Sequence, residues 1–288
     1  EIAQQITGLS RPQQSGSHQR GFKKRATYED YAAFFDEHLP DARREILGGK
    51  LMYKSEGKWK SANNNIDLLK SYALDHEHFD VKNVKPHLAR YNLAKEPQLL
   101  VDIPAWDGVD RIAPIAACVH LKNADQDTFA EYLKAWGANM WRRLFNPVEQ
   151  NWMLILKSDV QGLGKDHLIR AMLGKGLDRY YTETKITDQE RDNFVTASTH
   201  LVINIAEFER TSRVAISTIK ALVTSDHATI VNKYEADPSR LELRCSFIAT
   251  CNTDEILRDH TGNRRYVIFD IDKIDQNYRD DESPQIVA

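Results

Sequence analysis

Cysteine is scarce in this 288-residue chain, limited to Cys118, Cys245 and Cys251 with no CxxC pair among them. An odd, scattered set excludes a disulfide framework, and with the ten histidines it forms no cluster of metal-ligand spacing. The thiols read as small apolar residues in a protein of the reducing cytoplasm. Long hydrophobic runs are missing too. A stretch such as Trp152–Leu156 is far shorter than the ~20 residues that cross a bilayer, so neither a spanning helix nor a membrane partner is expected. No signal peptide and no internal repeat is visible. Charge has little bias: 39 basic against 42 acidic residues give a net charge of -3. That balance argues against coating nucleic acid over the whole surface, but it is compatible with a local basic channel.

What is present supports a soluble α/β protein. A hydrophobic content of 41% supplies a core, and the length suits one large domain plus a smaller one. Residues 1–26, rich in Gln, Ser and Arg and ending in Lys23-Lys-Arg25, read as a flexible arm. Residues 27–95 read as a small α/β module. There Thr27-Tyr-Glu-Asp30 forms a capping box opening a helix through His38, and a Ser55-Glu-Gly57 turn joins two β-like runs. Asn65 is expected to cap a helix carrying Ile66, Leu68, Leu69 and Tyr72. Residues 96–150 read as a helical collar. Its main helix begins at Asp127 or Thr128, presents Phe129, Tyr132, Leu133, Trp136, Met140 and Leu144 on one side, and stops at Asn146-Pro147. From 151 to 288 the apolar runs Trp152–Leu156, Leu201–Ile205, Leu243–Thr250 and Tyr266–Ile271 alternate with helical stretches. Such alternation predicts a central parallel sheet with crossover helices.

The segment Ser158–Asp166 lies between a strand and a helix and supplies Gln161, Gly162, Leu163, Gly164, Lys165 and Asp166. This is the setting of a phosphate-binding loop, in which glycines let backbone N–H groups converge on phosphate oxygens and a lysine reaches the outer phosphates. The competing reading is an ordinary glycine turn into a helix. Asp159 stands where the pattern has its first glycine, and Asp166 where it has the hydroxyl that ligates Mg²⁺. Asp166 either holds the metal through its carboxylate or repels the nucleotide.

Other segments offer partners for such a loop. The run Leu201–Glu209 ends in two acids; Glu207 is assigned to the metal and the attacking water, with Glu209 or Asn204 in support. The strand Cys245–Asn252 turns polar at Asn252; read alone this is an asparagine suited to a turn, and beside the loop it suits contact with a terminal phosphate or its water. Arg264 and Arg265 precede the last strand, where a guanidinium can stabilise a transferring phosphoryl group, often across a subunit boundary. Between Glu207 and Asn252, Ala228–Tyr234 and Leu241–Cys245 bracket a turn whose Lys233, Tyr234 and Arg240, joined by Lys220, suit a nucleic-acid backbone and a stacked base. A solvated hairpin edge with protective charges is the alternative.

Taken together these residues resemble the virulence-associated protein E (VapE-like) family, relatives of phage and mobile-element primase–helicases of superfamily 3. The likeness is carried by Pro104–Ile112, by Gln161–Lys165, and by Phe247–Asn252 continued through Leu257–Tyr266. The resemblance implies a P-loop NTPase (AAA+-like) core and ATP with Mg²⁺ as ligands. It also implies a homo-oligomeric ring, usually a hexamer, moving on single-stranded DNA during replication of the element. Carried across, Lys165 binds phosphates, Glu207 is the Walker B acid, Asn252 the first sensor, and Arg264 or Arg265 the finger. No primase carboxylate set is found. The function implied is a DNA-dependent ATPase and replicative helicase. Alternatives are a nucleotide-binding switch or phage-interference module, and a DNA-binding protein on a degenerate loop.

Overall fold

A computed structural model describes residues 25–76, 78–100, 107–187, 189–230, 239–253 and 265–275. Outside them lie all but the end of the expected arm, Pro104-Ala-Trp106 of the upstream motif, Lys233 and Tyr234 of the hairpin, and Arg264.

The amino-terminal module starts at the predicted capping box. Thr27 Oγ1 accepts from the Asp30 amide at 3.3 Å and Asp30 Oδ2 accepts from the Thr27 amide at 2.7 Å, which opens α1 (Tyr28–His38). Strands β1 (Arg43–Glu45), β2 (Leu51–Ser55), β3 (Lys58–Ser61) and β4 (Pro97–Gln98) form a sheet of order β3-β2-β1-β4. Helices α2 (Ile66–Leu74) and α3 (Val81–Ala94) join α1 in packing a core of Tyr31, Phe35, Leu51, Leu69, Leu88 and Tyr91. Asn65 occupies the N-cap position of α2 as expected, but its side chain makes no capping bond. Its Nδ2 donates to the Ser61 carbonyl at 3.0 Å, because a 3-10 turn over Asn63–Asn65 runs directly into the helix. The buried stripe of α2 is Leu69 and Ala73, whereas Leu68 and Tyr72 face solvent.

The larger domain is mixed α/β. It comprises α4 (Ile112–Ala117), β5 (Val119–Leu121), α5 (Gln126–Phe145), β6 (Met153–Lys157), α6 (Lys165–Leu177), β7 (Tyr181–Thr184), α7 (Glu190–Thr199) and β8 (Val202–Ile205). It continues through α8 (Arg213–Thr224), β9 (His227–Ile230), β10 (Ser239–Glu242), β11 (Ser246–Cys251) and β12 (Tyr266–Ile274). Six strands form one sheet of order β5-β12-β6-β11-β8-β7; neighbours from β12 to β7 are parallel and β5 is antiparallel at the edge. Every residue of β6, β8 and β11 is buried, as expected for strands covered on both faces. Leu154, Leu156, Ile248 and Phe269 pack one face against α5 and α6. Met153, Ile155, Ile203, Ile205 and Phe247 pack the other with Ala197 of α7 and Ile219 and Leu222 of α8. Strands β9 and β10 pair antiparallel as a separate hairpin.

The described part of the expected collar is an integral layer of this domain. Strand β5 extends the sheet, and α5, which starts at Gln126 behind the cap Asp125, a residue or two before the expected Asp127 or Thr128, buries Phe129, Leu133, Trp136, Met140 and Leu144 on it. Tyr132, placed on the same face from sequence, is 42% exposed. Near the end of α5, buried Arg143 donates to the carbonyl oxygens of Cys245 (3.3 Å), Pro147 (2.9 Å), Ser225 (3.3 Å) and Leu243 (2.7 Å), and to that of Glu149. One guanidinium thereby ties the entry of β6, the end of α8 and the start of β11 together. Among the described residues, no helix is long and apolar enough to cross a membrane.

Candidate functional site

Parallel strands deliver all their carboxyl ends to one edge of the sheet, and there the loop 158–164 leaves β6 for α6. Ser158 begins it, its amide donating to the Cys251 carbonyl at 3.0 Å and its Oγ accepting from the Val160 amide at 3.2 Å. Gly162 and Gly164 have φ of 77° and 86°, a left-handed conformation that side chains resist. A Cβ on Gly162 would meet nothing within 4 Å, so backbone conformation, rather than crowding, calls for glycine there. Asp159 is paired with Lys122 at 2.9 Å and with buried Lys157 at 3.8 Å; its hydrogen bond from Lys122 holds its carboxyl below the usual range.

Lys165 opens α6 and is 6% exposed. Its Nζ donates to Asn252 Oδ1 at 2.8 Å and to the Cys251 carbonyl at 3.2 Å. Burial pulls its ammonium below the ordinary lysine value, opposed by the charges of Asp166 and Glu209. Asn252 at the end of β11 is in turn held by Glu209, which accepts from the Asn252 backbone amide at 3.2 Å and from its Nδ2 at 2.9 Å. A relay Glu209–Asn252–Lys165 therefore spans three strand ends, because β11 lies between β6 and β8. Asp166 is anchored beside it: its Oδ1 accepts from Asn204 Nδ2 at 2.7 Å and from Thr250 Oγ1 at 3.3 Å.

The two acids after β8 divide otherwise than their order suggested. Glu207, at φ 50°, turns the chain into a 3-10 turn over Phe208–Arg210. Its carboxylate pairs with Lys185 at 2.7 Å and Arg210 at 3.0 Å, and the Lys185 hydrogen bond lowers its pKa. Glu209, expected only in support, is the acid joined to Asn252. Of the two, Glu207 lines an open cleft of about 900 Å³ together with Gln161 to His167, Thr250 and Asn252, with Arg170, Glu183, Lys185 and Arg210 at its sides; Glu209 is joined to it through Asn252. Lys185, Arg210, Arg170 and Thr250 were missed from sequence. Thr250 alone carried a signal, as a polar residue near the end of an apolar strand.

Arg265 sits elsewhere. It precedes Tyr266, which pairs with Met153 at the start of β6, whereas the cleft lies beyond Lys157 at its end. At ~3.3 Å per residue the two ends are roughly 13 Å apart. Arg265 lines a second cavity, of about 360 Å³, with Arg143, Asn151, Thr224 and Asp226. Of the hairpin residues, Arg240 is exposed on β10 opposite Thr229, and Lys220 is half-buried on α8. Among the described residues, no three His, Cys, Asp or Glu side chains are grouped to hold a metal ion.

A mostly parallel sheet between helical layers, with a glycine turn and polar side chains converging at its carboxyl edge, defines an α/β protein with its cleft at the strand ends. The chain belongs to the VapE-like family: the model of the Virulence-associated protein E-like domain matches residues 100–288, about two thirds of it. No curated protein matches it. Among solved structures, the apo A form of the NrS-1 C-terminal region is similar with a TM-score of 0.54, at 14% identity, over 89% of this chain and 66% of that one. Another apo structure of that region gives a TM-score of 0.54 and 14% identity, over 85% and 61%. The chain thus spans less than two thirds of the length of those two structures. At such identity the likeness is one of fold.

Proposed function

We propose that this chain is an ATP-hydrolysing, DNA-dependent replicative helicase motor of a phage or mobile genetic element. On this reading it is a P-loop NTPase of the AAA+-like kind acting on single-stranded DNA. The observation that supports it best is the convergence, from separate segments, of Lys165, Asp166 and Asn252 at the cleft that Gly162 and Gly164 also line, with Glu209 holding Asn252. Backbone amides of Gly162 to Lys165 and the amino end of α6 suit phosphate oxygens. Lys165 offsets their charge, leaving Asn252 Oδ1 to do so. Asn252, held by Glu209, presents an oriented polar group where a water attacking the terminal phosphate must be fixed.

The donor set also fits Mg²⁺, a hard cation that takes one or two carboxylates together with substrate phosphates rather than an all-protein cage. Asp166, next to Lys165, would hold it, whereas Glu207 on the cleft wall is already paired with Lys185 and Arg210; the cation would supply neutralisation of phosphate charge. Arg265 lies at the opposite end of the sheet, so as an arginine finger it would serve the cleft of a neighbouring subunit, which ties this reading to a homo-oligomeric ring. The β9–β10 hairpin, with Arg240 and nearby α8 carrying Lys220, is the element proposed to meet DNA.

Purified protein is expected to release phosphate from ATP faster with single-stranded DNA, and Lys165→Ala to abolish this release. Unchanged turnover in that variant refutes the motor. A nucleotide-binding switch is the second reading, favoured by the pairing of Glu207 with Lys185 and Arg210. Tight ATP binding without turnover would select it.

A further inference from the structure

We infer that this cleft admits a nucleotide only together with its divalent cation, because a fixed carboxylate, Asp166, stands where such loops carry a neutral hydroxyl. The inference rests on the nucleotide-binding reading of the cleft and deepens it. Asp166 follows Lys165 in the first turn of α6 and lines the cleft. Its Oδ1 takes the hydrogen bonds from Asn204 and Thr250, both buried, and the same Asn204 amide reaches the Tyr181 hydroxyl at 3.0 Å. Asn204 Oδ1 is buried without a partner among the described residues. Turning that amide over would set its carbonyl against the Asp166 carboxylate, so the charge of Asp166 itself dictates the orientation. The carboxylate is thus held in one position by two hydrogen-bond donors.

A hydroxyl at this place ligates the metal when it is present and, being neutral, does not repel the nucleotide when it is absent. A fixed carboxylate does repel it. It adds negative charge where the outer phosphates come to rest, and Lys165, already flanked by Glu209, offsets only part of it. A cation reverses the sign, because carboxylate and phosphate oxygens then both become its ligands. The dependence runs both ways. With no three ligating side chains grouped among the described residues, the cation has no cage of its own and needs the phosphates. Linkage requires that each ligand raise the other's affinity by the same factor.

The test is an equilibrium titration of the full chain with a fluorescent, non-hydrolysable ATP analogue, read by anisotropy in excess Mg²⁺ and in excess EDTA. Wild type is expected to lose about a hundredfold or more in affinity in EDTA, from like charges a few ångströms apart. Asp166→Asn, which keeps the shape, and Asp166→Ser, which restores the usual hydroxyl, are expected to lose about tenfold or less. Mn²⁺ alone, followed by its electron paramagnetic resonance signal, is expected to stay free until the analogue is added. Wild type binding equally in both buffers, or variants keeping the full EDTA loss, overturns the inference but leaves the nucleotide site standing. No binding by wild type or either variant in either buffer overturns the underlying reading instead.

Discussion

Replacing Glu209 by Gln keeps the length and shape of the side chain and removes its charge, which makes it the sharpest probe of the relay to Lys165. Glu209 accepts from two donors on Asn252, the backbone amide at 3.2 Å and Nδ2 at 2.9 Å, while Asn252 Oδ1 accepts from Lys165 at 2.8 Å. Glutamine has a single acceptor oxygen, so its own amide group must confront one of those donors. One charge-assisted hydrogen bond is lost, about 1.5–3 kcal/mol, and Asn252 is no longer fixed. Each ~1.4 kcal/mol in a barrier is about tenfold in rate, so ATP turnover should fall roughly 10- to 100-fold. Nucleotide affinity, set mainly by the loop, should change little. Glu207→Gln is the control: it breaks pairs with two exposed cations, screened by solvent, and should leave turnover within about threefold. The assay is steady-state phosphate release with saturating single-stranded DNA, with circular dichroism to confirm that each variant is folded. The reverse ranking, with Glu207→Gln inactive and Glu209→Gln active, refutes the assignment and returns the role to Glu207.

Two further outcomes are expected. Arg143→Met leaves the carbonyls of Cys245, Pro147, Glu149, Ser225 and Leu243 without their shared donor, and should cost about 3–5 kcal/mol in urea denaturation; a loss below about 1 kcal/mol would show that the clamp is dispensable. Lys165 has a folded-state pKa depressed by burial, so the folded chain pays for its ammonium in full below that value and is relieved as pH rises towards 10.5. Lys165→Met should therefore melt no lower than wild type at about pH 7, with any advantage shrinking as the pH is raised, and a lower melting temperature at neutral pH contradicts this sign.

Much of the local structure was legible. The Thr27–Asp30 capping box, the turn at Glu56-Gly57 and the stripe Phe129, Leu133, Trp136, Met140 and Leu144 depend on neighbours within a few residues, and the chain carries them on its face. Helix α3 escaped notice because Pro86 interrupts its pattern, although a packed face of Val84, Leu88 and Tyr91 carries the helix through it. Strand β7, Tyr181–Thr184, lies at the sheet's edge with only Tyr181 buried, so it lacks the apolar run that marks its neighbours.

The sequence alone determined that a strand, a glycine turn and a helix would follow one another around Lys165, because glycine conformation and apolar runs are properties of short segments. It also marked the polar strand end at Asn252. Only the tertiary structure decided that Asn252 would reach Lys165, since β11 enters the sheet between β6 and β8 although it follows both in the chain, and parallel neighbours joined by long crossovers carry no local record of their order. The choice between Glu207 and Glu209 was likewise tertiary. A left-handed residue and a 3-10 turn break the strand's alternation there, so the direction of each carboxylate follows from packing against β11 and not from its place in the run.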